Sequence, residues 1–568
     1  MDLKRFSKNE DLCMMIVSIA IGFVAGVVTA VFTDIFVFSE RFRYSFIESN
    51  PPLFFVTAIV LTTVTAYSLK KLLGGFYGSS TSYVVKSYHT KMGHIGTKEL
   101  VVYTLGSISS VLAGAVVGPE GPGIAIGAFV GYWLARYAGC KGDILRKMAL
   151  VGGAAGVASV FRAPLTAMAF AIEVPYRKSI ESGIFLPALL ATLTSYLVTV
   201  FIAGPQRLLL KSKPFKPPFP STPLLLSAIG LGVIAALLTY IMYFIKHYSM
   251  EISEKVARRR YWFVLPFTLG ILVFLAGTLI SPLIPGAGDV LTEHVFNEPE
   301  SLSKAKLLEI VVTKAALLPL SMTFGTTGGL FMPLVSIGSA LGLFYVKTFN
   351  PGIEHIEPII LAGVSALFAA SMKTLLTSIL IGVEFLGFGA FFTSTVAASV
   401  AYLLTLNVSL VGGQLPAIQD IKKRVLLELY EMIASKPKAK SKLSRPTELV
   451  TNKNVIRLTK YMTVAEALEI AEKEPHTYYP VVESNDVLYG EVSLDILIAE
   501  EDPSKKVGEL VYWPQVVVYY KVPIEYTLKL MIAKDSDHAI VIDEKTRVVG
   551  MTTRADILRY LIKVVEEG

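Results

Sequence analysis

Glu120 is a carboxylate flanked by two Gly-Pro pairs in GPEGPGIAIG, residues 118–127, at the start of a predicted apolar helix. A helix N-terminus presents unpaired N–H groups and the positive end of the helix dipole, so it attracts anions. In such a site the carboxylate is a tethered anion that competes with a diffusing one, and Glu120 is predicted to act as a gate. The alternative is a plain helix cap, which contributes about 0.3–1 kcal/mol.

Residues for other kinds of chemistry are scattered in this sequence. Cys13 and Cys140 lie far apart and form no metal-binding or redox spacing, and the seven histidines form no HExxH or Cys/His cluster. The sequence also contains no arrangement typical of a hydrolase or a transferase. It therefore predicts neither a metal site nor an enzyme.

The composition places most of the chain in lipid. Of its 568 residues 53% are hydrophobic and only 17% are charged, and the mean hydropathy is +0.57, which is too apolar for an ordinary soluble protein. The N-terminal MDLKRFSKNEDL is predicted to be retained and cytoplasmic, because the apolar run after it exceeds a signal-peptide core. Runs that can cross a bilayer core, about 20 residues each, occur at 12–38, 52–73, 184–203, 223–246, 261–284 and 374–404.

The formal net charge of +8 does not by itself indicate a nucleic-acid partner. Lys and Arg concentrate at predicted membrane borders, at 205–216, 246–260 and 422–445. The excess of positive charge in cytoplasmic loops of membrane proteins accounts for these clusters. No nucleic-acid partner is expected.

A duplication organises the membrane part. A shift of 211 positions aligns GPEGPGIAIGAFVG (118–131) with GLFMPLVSIGSALG (329–342), and the ungapped register continues until it pairs Glu173 with Glu384. Duplicated membrane halves commonly form inverted repeats whose broken helices meet at a substrate site near the midplane. The sequence therefore predicts an all-α polytopic membrane protein of two inverted repeats with broken helices, whose helix N-termini bind an anion.

The composition changes beyond the membrane part. SKPKAKSKLSRP is a polar, basic connector, and TYYPVVESNDVLYG (477–490) then aligns with DHAIVIDEKTRVVG (537–550) at an offset of 60. Each of these segments reads as strand, turn and strand after a helical stretch. The predicted organisation is a membrane domain at 1–430 with repeats at about 10–205 and 220–430, a basic linker at 431–447, and two α/β motifs at 448–504 and 505–568.

Three motifs carry a resemblance to a known family. GPEGP resembles the GREGP motif of the CLC chloride channels and chloride/proton exchangers, GLFMP (329–333) fits their GxFxP pattern, and GSSTS (78–82) stands where they carry GSGIP. The tail is similar to the cytoplasmic pair of CBS domains that many members append. The resemblance implies a homodimer in the lipid bilayer that moves chloride or other small anions, with one pathway per subunit, the CBS domains in the cytoplasm and no required cofactor.

The resemblance also implies roles for single residues. Ser79 would contact the central anion through its side chain, and Gly329, Leu330 and Phe331 would do so through backbone amides. Glu120 would be the gate on the extracellular side. From the residues alone, Ser79 could equally cap a helix and Phe331 could be a core side chain.

The chain departs from the family pattern around the expected site. Ser80 and Ser82 stand where members usually show Gly and Pro, and Pro119 replaces the Arg of GREGP. Members also carry an anion-coordinating Tyr at the start of the last membrane helix, whereas GGQLPAIQD (412–420) contains none. The nearest positions are Leu415, Pro416 and Ala417. The inner gate is therefore expected to be wider or built differently.

Position 174 bears on the choice between channel and exchanger. Glu173 is followed by Val174, whereas proton-coupled members often have two glutamates there, the second of which relays protons from the cytoplasm. Many channel members have Val at this position. We therefore predict a chloride-selective channel gated by Glu120. The alternative is a chloride/proton antiporter, with Glu120 and Glu173 on the proton pathway, or a fluoride exporter of the same family.

Two other classes of function stay open at this point. A transporter for cations or organic solutes should show paired carboxylates along its helices, and the midplane motifs offer only Glu120. A membrane sensor that signals through the CBS pair would not need three helix starts suited to anions. Both classes are therefore alternatives to anion transport.

The CBS-like tail carries a candidate nucleotide site. The second motif ends in GMTTRAD, so Thr553 and Asp556 match the family's ribose-phosphate positions, and His476 and Thr477 lie where the base is commonly held. The first motif reads GEVSLD and is one residue short before Asp495. The resemblance thus implies a site for ATP, ADP or AMP, with a dimerisation scaffold as the alternative.

Overall fold

A computed structural model describes residues 10–76, 79–204, 221–349, 355–417, 441–500, 502–534 and 536–566. It divides the chain into two compact units, the first ending at Ile418 and the second beginning at Gln419. The described part of the first unit is helical, and that of the second combines helices with two small sheets.

The described part of the first unit contains sixteen α-helices. The first eight are α1 (Glu10–Ser49), α2 (Pro51–Leu73), α3 (Ser80–Thr90), α4 (Thr97–Leu112), α5 (Glu120–Tyr137), α6 (Asp143–Phe161), α7 (Pro164–Glu173) and α8 (Phe185–Ala203). The second eight are α9 (Thr222–Ala257), α10 (Val264–Leu275), α11 (Asp289–Asn297), α12 (Lys304–Thr323), α13 (Phe331–Phe349), α14 (Glu357–Met372), α15 (Leu375–Leu386) and α16 (Phe391–Leu404). In the described residues seven helical segments are long and apolar enough to cross a membrane.

The two sets of eight helices follow the 211-residue shift. α5 begins at Glu120 and α13 begins at Phe331, its equivalent in the second repeat. Arg162 after α6 and Lys373 after α14 are also equivalent, and both adopt left-handed backbone with φ of 54° and 59°. The predicted fold of two repeats with broken helices is confirmed.

Glycines allow helices within each repeat to cross at backbone contact. A methyl group on Gly127 would overlap the carbonyl oxygen of Gly152, and one on Gly363 would meet that of Gly338. α5 therefore packs directly against α6, and α13 against α14, because glycine leaves no side chain between them. This packing holds in place the helices that begin at the GPEGP and GLFMP motifs.

The apolar run at 374–404 was predicted as one membrane crossing but forms two helices. α15 ends at Leu386, a 3-10 turn occupies Gly387–Ala390, and α16 begins at Phe391. Gly387 has a φ of 73°, a left-handed conformation that glycine adopts without strain and that ends the helix.

The second unit repeats one α/β motif. Its first copy contains β1 (Leu458–Thr459), α17 (Val464–Lys473), β2 (Tyr478–Val482), β3 (Leu488–Ser493) and α18 (Leu494–Ala499). Its second contains β4 (Val517–Tyr519), α19 (Ile524–Lys534), β5 (His538–Ile542), β6 (Val548–Thr553) and α20 (Arg554–Glu566). In each sheet the middle strand is parallel to the first and antiparallel to the third.

The two copies of this motif share a small apolar core. Val482 and Leu488 of the first copy pack with Ile540, Ile542 and Val548 of the second. The predicted α/β region with two motifs is therefore confirmed. The boundaries at 430, 447 and 504 stay predictions, and residues 431–440 of the predicted linker lie outside the described residues.

Candidate functional site

The GPEGP and GLFMP motifs meet where the two repeats join. Gly118 N–H donates to the carbonyl oxygen of Gly329 at 2.9 Å, and Gly329 N–H donates back to that of Gly118 at 2.8 Å. A second backbone bridge joins Ser79 to Gly328. Gly118 and Gly329 are equivalent residues of the two repeats, so this pair of hydrogen bonds joins the repeats at matching positions. All three motifs therefore converge at one place.

In the segments that lead into the two motifs, a serine hydroxyl of each repeat accepts a backbone N–H of the other repeat. Thr327 N–H donates to Ser110 Oγ of the first repeat at 3.0 Å. Val116 N–H donates to Ser321 Oγ of the second repeat, also at 3.0 Å. All four residues are buried. These bonds satisfy backbone donors that would otherwise be costly to bury.

Glu120 places its carboxylate at a helix start of the other repeat. It is the first residue of α5 and is only 1% exposed. Its Oε1 accepts the N–H of Met332, in the first turn of α13, at 3.1 Å. The carboxylate therefore lies where the unpaired N–H groups and the dipole of α13 attract negative charge.

Two glycines leave the space that this carboxylate fills. A methyl group on Gly118 would overlap both oxygens of Glu120, and one on Gly329 would meet Oε1 of the same carboxylate. Any residue larger than glycine at either position would push the Glu120 side chain away from α13. The glycines of both motifs thus shape a cradle for one carboxylate-sized anion.

Ser79 caps α3 beside this cradle. Its Oγ accepts from Ser82 N–H at 3.2 Å and from the Ser82 hydroxyl at 3.0 Å. A serine hydroxyl accepts two hydrogen bonds and donates one, so these contacts leave its proton for a ligand. The helix-cap and anion-contact interpretations of Ser79 are therefore compatible with one another. Gly78, which begins the motif, lies outside the described residues.

Leu330 and Phe331 contribute backbone and core rather than polar side chains. Both are buried, and the Phe331 ring lies 3.9 Å from that of Phe161 and 4.2 Å from that of Phe368, centre to centre. The Phe331 side chain is thus part of the apolar core, as the alternative interpretation expected. The anion-binding role predicted for Leu330 and Phe331 concerns their amides at the start of α13. The same role predicted for Gly329 is not supported, because its N–H is already donated to the Gly118 carbonyl oxygen.

Comparison with known proteins shows which family carries these motifs. The family model described as voltage gated chloride channel matches residues 76–406, and the CBS domain model matches 447–501 and 507–563. The chain belongs to the voltage gated chloride channel family. The predicted resemblance is confirmed, and the protein is an integral, multi-pass membrane protein.

Relatives and solved structures of this family were found as well. The H(+)/Cl(-) exchange transporter ClcA of Vibrio campbellii is 25% identical over 452 residues, which cover 75% of this chain and 92% of the relative. A CLC-type fluoride/proton antiporter is 24% identical with a TM-score of 0.62, covering 72% of this chain and 98% of its own. A slow cyanobacterial Cl-/H+ antiporter is 21% identical with a TM-score of 0.59, covering 70% and 96%.

These comparisons contradict the prediction of a passive chloride channel. That relative is named as an exchange transporter and both solved structures are described as antiporters. The channel prediction rested on Val174 alone, and it was wrong because one apolar position does not remove every proton-carrying group from a protein. Glu120 is a titratable carboxyl group, and the proton role that the antiporter alternative gave it stays a prediction.

The Glu173 side chain caps a helix in this protein. Its carboxylate accepts the N–H groups of Leu376 and Thr377 at 2.8 Å each, and the Thr377 hydroxyl at 2.7 Å. These donors lie in the first turn of α15, so the carboxylate stabilises a helix N-terminus. The capping contacts account for a buried carboxylate at this position, and its predicted proton role stays a prediction.

Gln414 is a site residue that sequence reasoning missed. Its amide donates to the carbonyl oxygens of Val174 at 3.0 Å and Met372 at 2.9 Å, which joins the ends of α7 and α14. Nearby, Gly412 N–H donates to Ser82 Oγ at 2.9 Å. The segment before residue 418, which lacks the expected Tyr, is thus fastened to α3 and α7 by an amide and backbone contacts. A buried glutamine in GGQLP was the one available signal.

The four predicted nucleotide contacts fall into two groups. His476 and Thr477 are exposed before β2. Thr553 and Asp556 form a local cap, in which Thr553 N–H donates to Asp556 Oδ2 at 2.9 Å. Tyr478 lies between these groups, with its ring stacked on His538 at 4.3 Å. His538 in turn pairs with Thr553 across β5 and β6, so Tyr478 and His538 link the two groups.

Proposed function

We propose that this chain exchanges chloride for protons across a membrane, with Glu120 as the group that carries the proton. The observation that carries the proposal is the Glu120 carboxylate, 1% exposed, bound to the Met332 N–H at the start of α13. The exchange transporter from Vibrio campbellii, 25% identical over 92% of its length, supports the same function.

Shared occupancy of one site couples the two ions. When Glu120 is ionised, its carboxylate fills the cradle at α13 and excludes a diffusing anion by charge and by volume. When it is protonated, it loses the hydrogen bonds to charge that are worth about 1.5–3 kcal/mol each. Chloride then takes the same N–H donors, and the proton leaves with the side chain. Each entry of chloride thus requires a proton on Glu120.

The anion would be held without a lysine or arginine. The donors available to it are the backbone amides of Leu330 and Phe331, that of Met332 once Glu120 has left it, and the hydroxyl of Ser79, whose acceptor positions are used by Ser82. Several partial charges of this kind replace the hydration shell of a small anion. Transport through such a site needs no covalent chemistry and no cofactor.

The arrangement in the membrane is the second part of the proposal. We propose a homodimer with one pathway in each subunit, and with the N-terminus and the CBS pair in the cytoplasm. Crosslinking in detergent should yield dimers, and a higher cyclic oligomer would contradict this part. Tags placed before residue 10 and after residue 566 should be protected from added protease in sealed cells.

Regulation by an adenine nucleotide is the third part. Thr553 and Asp556, together with His476 and Thr477, would hold ATP, ADP or AMP at the CBS pair. The support is the match of the CBS domain model to residues 447–501 and 507–563. The ribose hydroxyls would be held by the Asp556 carboxylate, which is partly exposed in the structure.

Reconstituted liposomes provide the direct test of exchange. In vesicles that start with equal pH inside and outside, a chloride gradient should make the purified protein move protons across the membrane. The reversal potential should shift with pH. Fluoride in place of chloride tests the other substrate named among the structural neighbours. Nernstian chloride behaviour at every pH would overturn the proposal.

A further inference from the structure

A cluster of titratable side chains lies just beyond Val174, on the segment that follows α7. Glu181 is only 8% exposed, although its neighbours Ile180 and Ser182 are exposed to the surroundings of the unit. Its backbone N–H donates to the carbonyl oxygen of Ile172, in the last turn of α7, at 2.8 Å. Glu181 is thus a buried carboxylate between two exposed neighbours in the sequence, and its backbone is bonded to the end of α7.

Tyrosine and histidine side chains surround this carboxylate. The Tyr88 hydroxyl, on α3, donates to Glu181 Oε2 at 2.5 Å. The rings of Tyr176 and His89 pack edge to face at 5.4 Å, and Tyr88 packs in the same way on His89 at 4.9 Å. His89 Nε2 lies 2.9 Å from the Pro175 carbonyl oxygen, and its Nδ1 is buried without a partner among the described residues.

The charged groups that face this cluster come from α6. The Arg146 guanidinium lies over the Tyr88 ring at 4.8 Å, and it is paired with Asp143. Lys147 is bonded to the same Asp143 at 2.8 Å. Two cations and one carboxylate therefore lie on the α6 side of Tyr88 and Glu181.

A small cavity lies among α3, α5, α6 and α7. It has a volume of about 10 Å³, the space of one water molecule. Val84 on α3 lies one turn before Tyr88, and Ile124 on α5 lies one turn after Glu120, and both line the cavity. The cavity thus lies against the helices that carry Tyr88 and Glu120, and Val174 forms part of its wall.

The cavity wall offers one polar group. Thr81 lines it, and Thr81 Oγ1 is buried without a hydrogen-bond partner among the described residues. A buried hydroxyl with no partner costs free energy, so a water molecule at this point is favoured when a second polar group reaches in. Tyr88 lies two helical turns along α3 from Thr81, roughly 10 Å by helix rise.

We propose that Glu181 is the second proton-exchanging group of this transporter and replaces the carboxylate that position 174 lacks. A proton from the aqueous side binds the Glu181 carboxylate. The O–H bond of Glu181 then breaks as Tyr88 accepts the proton and passes its own to water in the cavity. An O–H bond of the resulting hydronium breaks as one forms on Glu120. One proton leaves Glu181, one arrives at Glu120, and no electrons are transferred.

The test rests on the proposed exchange function and uses the full chain in liposomes. Chloride efflux and proton uptake are recorded together for the wild type and for Glu181→Gln, which keeps the size of the side chain and removes its ionisation. Proton uptake by Glu181→Gln is expected to fall roughly a hundredfold, as for loss of a proton-transferring side chain. Chloride efflux should continue, and the reversal potential should move to the Nernst value for chloride.

The chain offers a matched control on the same helix. The Tyr83 hydroxyl, also on α3, donates to Glu99 Oε1 at 3.1 Å, but this pair does not line the cavity. Glu99→Gln is therefore expected to leave the ratio of protons to chloride unchanged. Tyr88→Phe keeps the ring packing and removes only the hydroxyl. It should therefore slow proton uptake while Glu181 stays in place.

The outcomes separate the two proposals. A wild type that moves chloride without protons contradicts exchange itself. A wild type that couples the ions, together with a Glu181→Gln variant of equal coupling, overturns the role of Glu181 and leaves exchange standing. If Glu181→Gln does not fold, Tyr88→Phe decides the question, because unchanged proton uptake in that variant excludes this route.

Discussion

Glu173 and Glu384 occupy equivalent positions in the two repeats, and each caps the helix on which the other lies. Glu173 at the end of α7 accepts from the N–H groups of Leu376 and Thr377 in α15. Glu384 on α15 accepts those of Leu165 at 2.9 Å and Thr166 at 2.8 Å in α7. The exchange satisfies backbone N–H donors at the N-termini of both helices, which have no partner within their own helix.

This exchange predicts a stability effect that is separate from transport. Glu173→Gln and Glu384→Gln should each destabilise the fold by about 1–2 kcal/mol, as for loss of a charged N-cap. The effect is measured as the fraction of protein that stays monodisperse in detergent after heating to a series of temperatures. The ratio of protons to chloride should be unchanged in Glu173→Gln, and a lost ratio would instead place Glu173 on the proton pathway.

Removing the charge of Glu120 should uncouple the two ions. Glu120→Gln keeps the shape of the side chain but cannot carry a proton, so proton uptake is expected to fall roughly a hundredfold. Chloride flux should continue and lose its dependence on pH, because no carboxylate then returns to the start of α13. Paired chloride and pH recordings on liposomes check this. A variant that keeps pH-dependent, coupled flux would show that Glu120 is only a helix cap.

Gly329→Ala should act through the same carboxylate. The added methyl group would meet Glu120 Oε1, so the side chain is expected to be held away from α13 and coupling should weaken in the direction of Glu120→Gln. The double variant Gly329→Ala/Glu120→Gln should show no additional loss, because residues that act through one contact are not additive. Independent, additive losses in a transport assay would contradict the shared cradle.

Ser79→Ala should weaken anion binding while the helix stays folded. Loss of one hydrogen bond to a charged ligand costs about 1.5–3 kcal/mol, or roughly 10- to 100-fold in affinity. Isothermal titration of the purified protein with chloride measures the change. Ser68→Ala removes a hydroxyl that bonds only to the Val64 carbonyl oxygen of its own helix, and it serves as the control. Equal affinity in both variants would remove Ser79 from the site.

The nucleotide proposal has its own variant. Asp556→Asn keeps an oxygen that can accept from Thr553 N–H and so preserves the local cap, but it removes the charge that would hold ribose hydroxyls. ATP binding to the full chain is expected to weaken by about tenfold or more. Fluorescent-nucleotide displacement measures it. If the wild type binds no ATP at millimolar concentration, the CBS pair is a scaffold instead.

The sequence by itself determined the features that repeat or that occur as short contiguous motifs. Composition established the membrane environment, the 211-residue shift revealed the duplication, and GPEGP and GLFMP identified the helices that meet at the proposed anion site. Such features are readable because a helix start or a repeat depends on neighbouring residues. The same local reasoning failed at Val174, where one side chain was taken to decide the transport mechanism.

Only the tertiary structure decided which groups act together. The carboxylate of Glu120 meets the amide of Met332, which is 212 positions away, and Glu173 meets Leu376 at a separation of 203. Tyr88 and Glu181 are 93 positions apart and form one buried pair. No periodicity or motif encodes these partners, because they are created when two repeats fold against each other and bury charges that must then find donors.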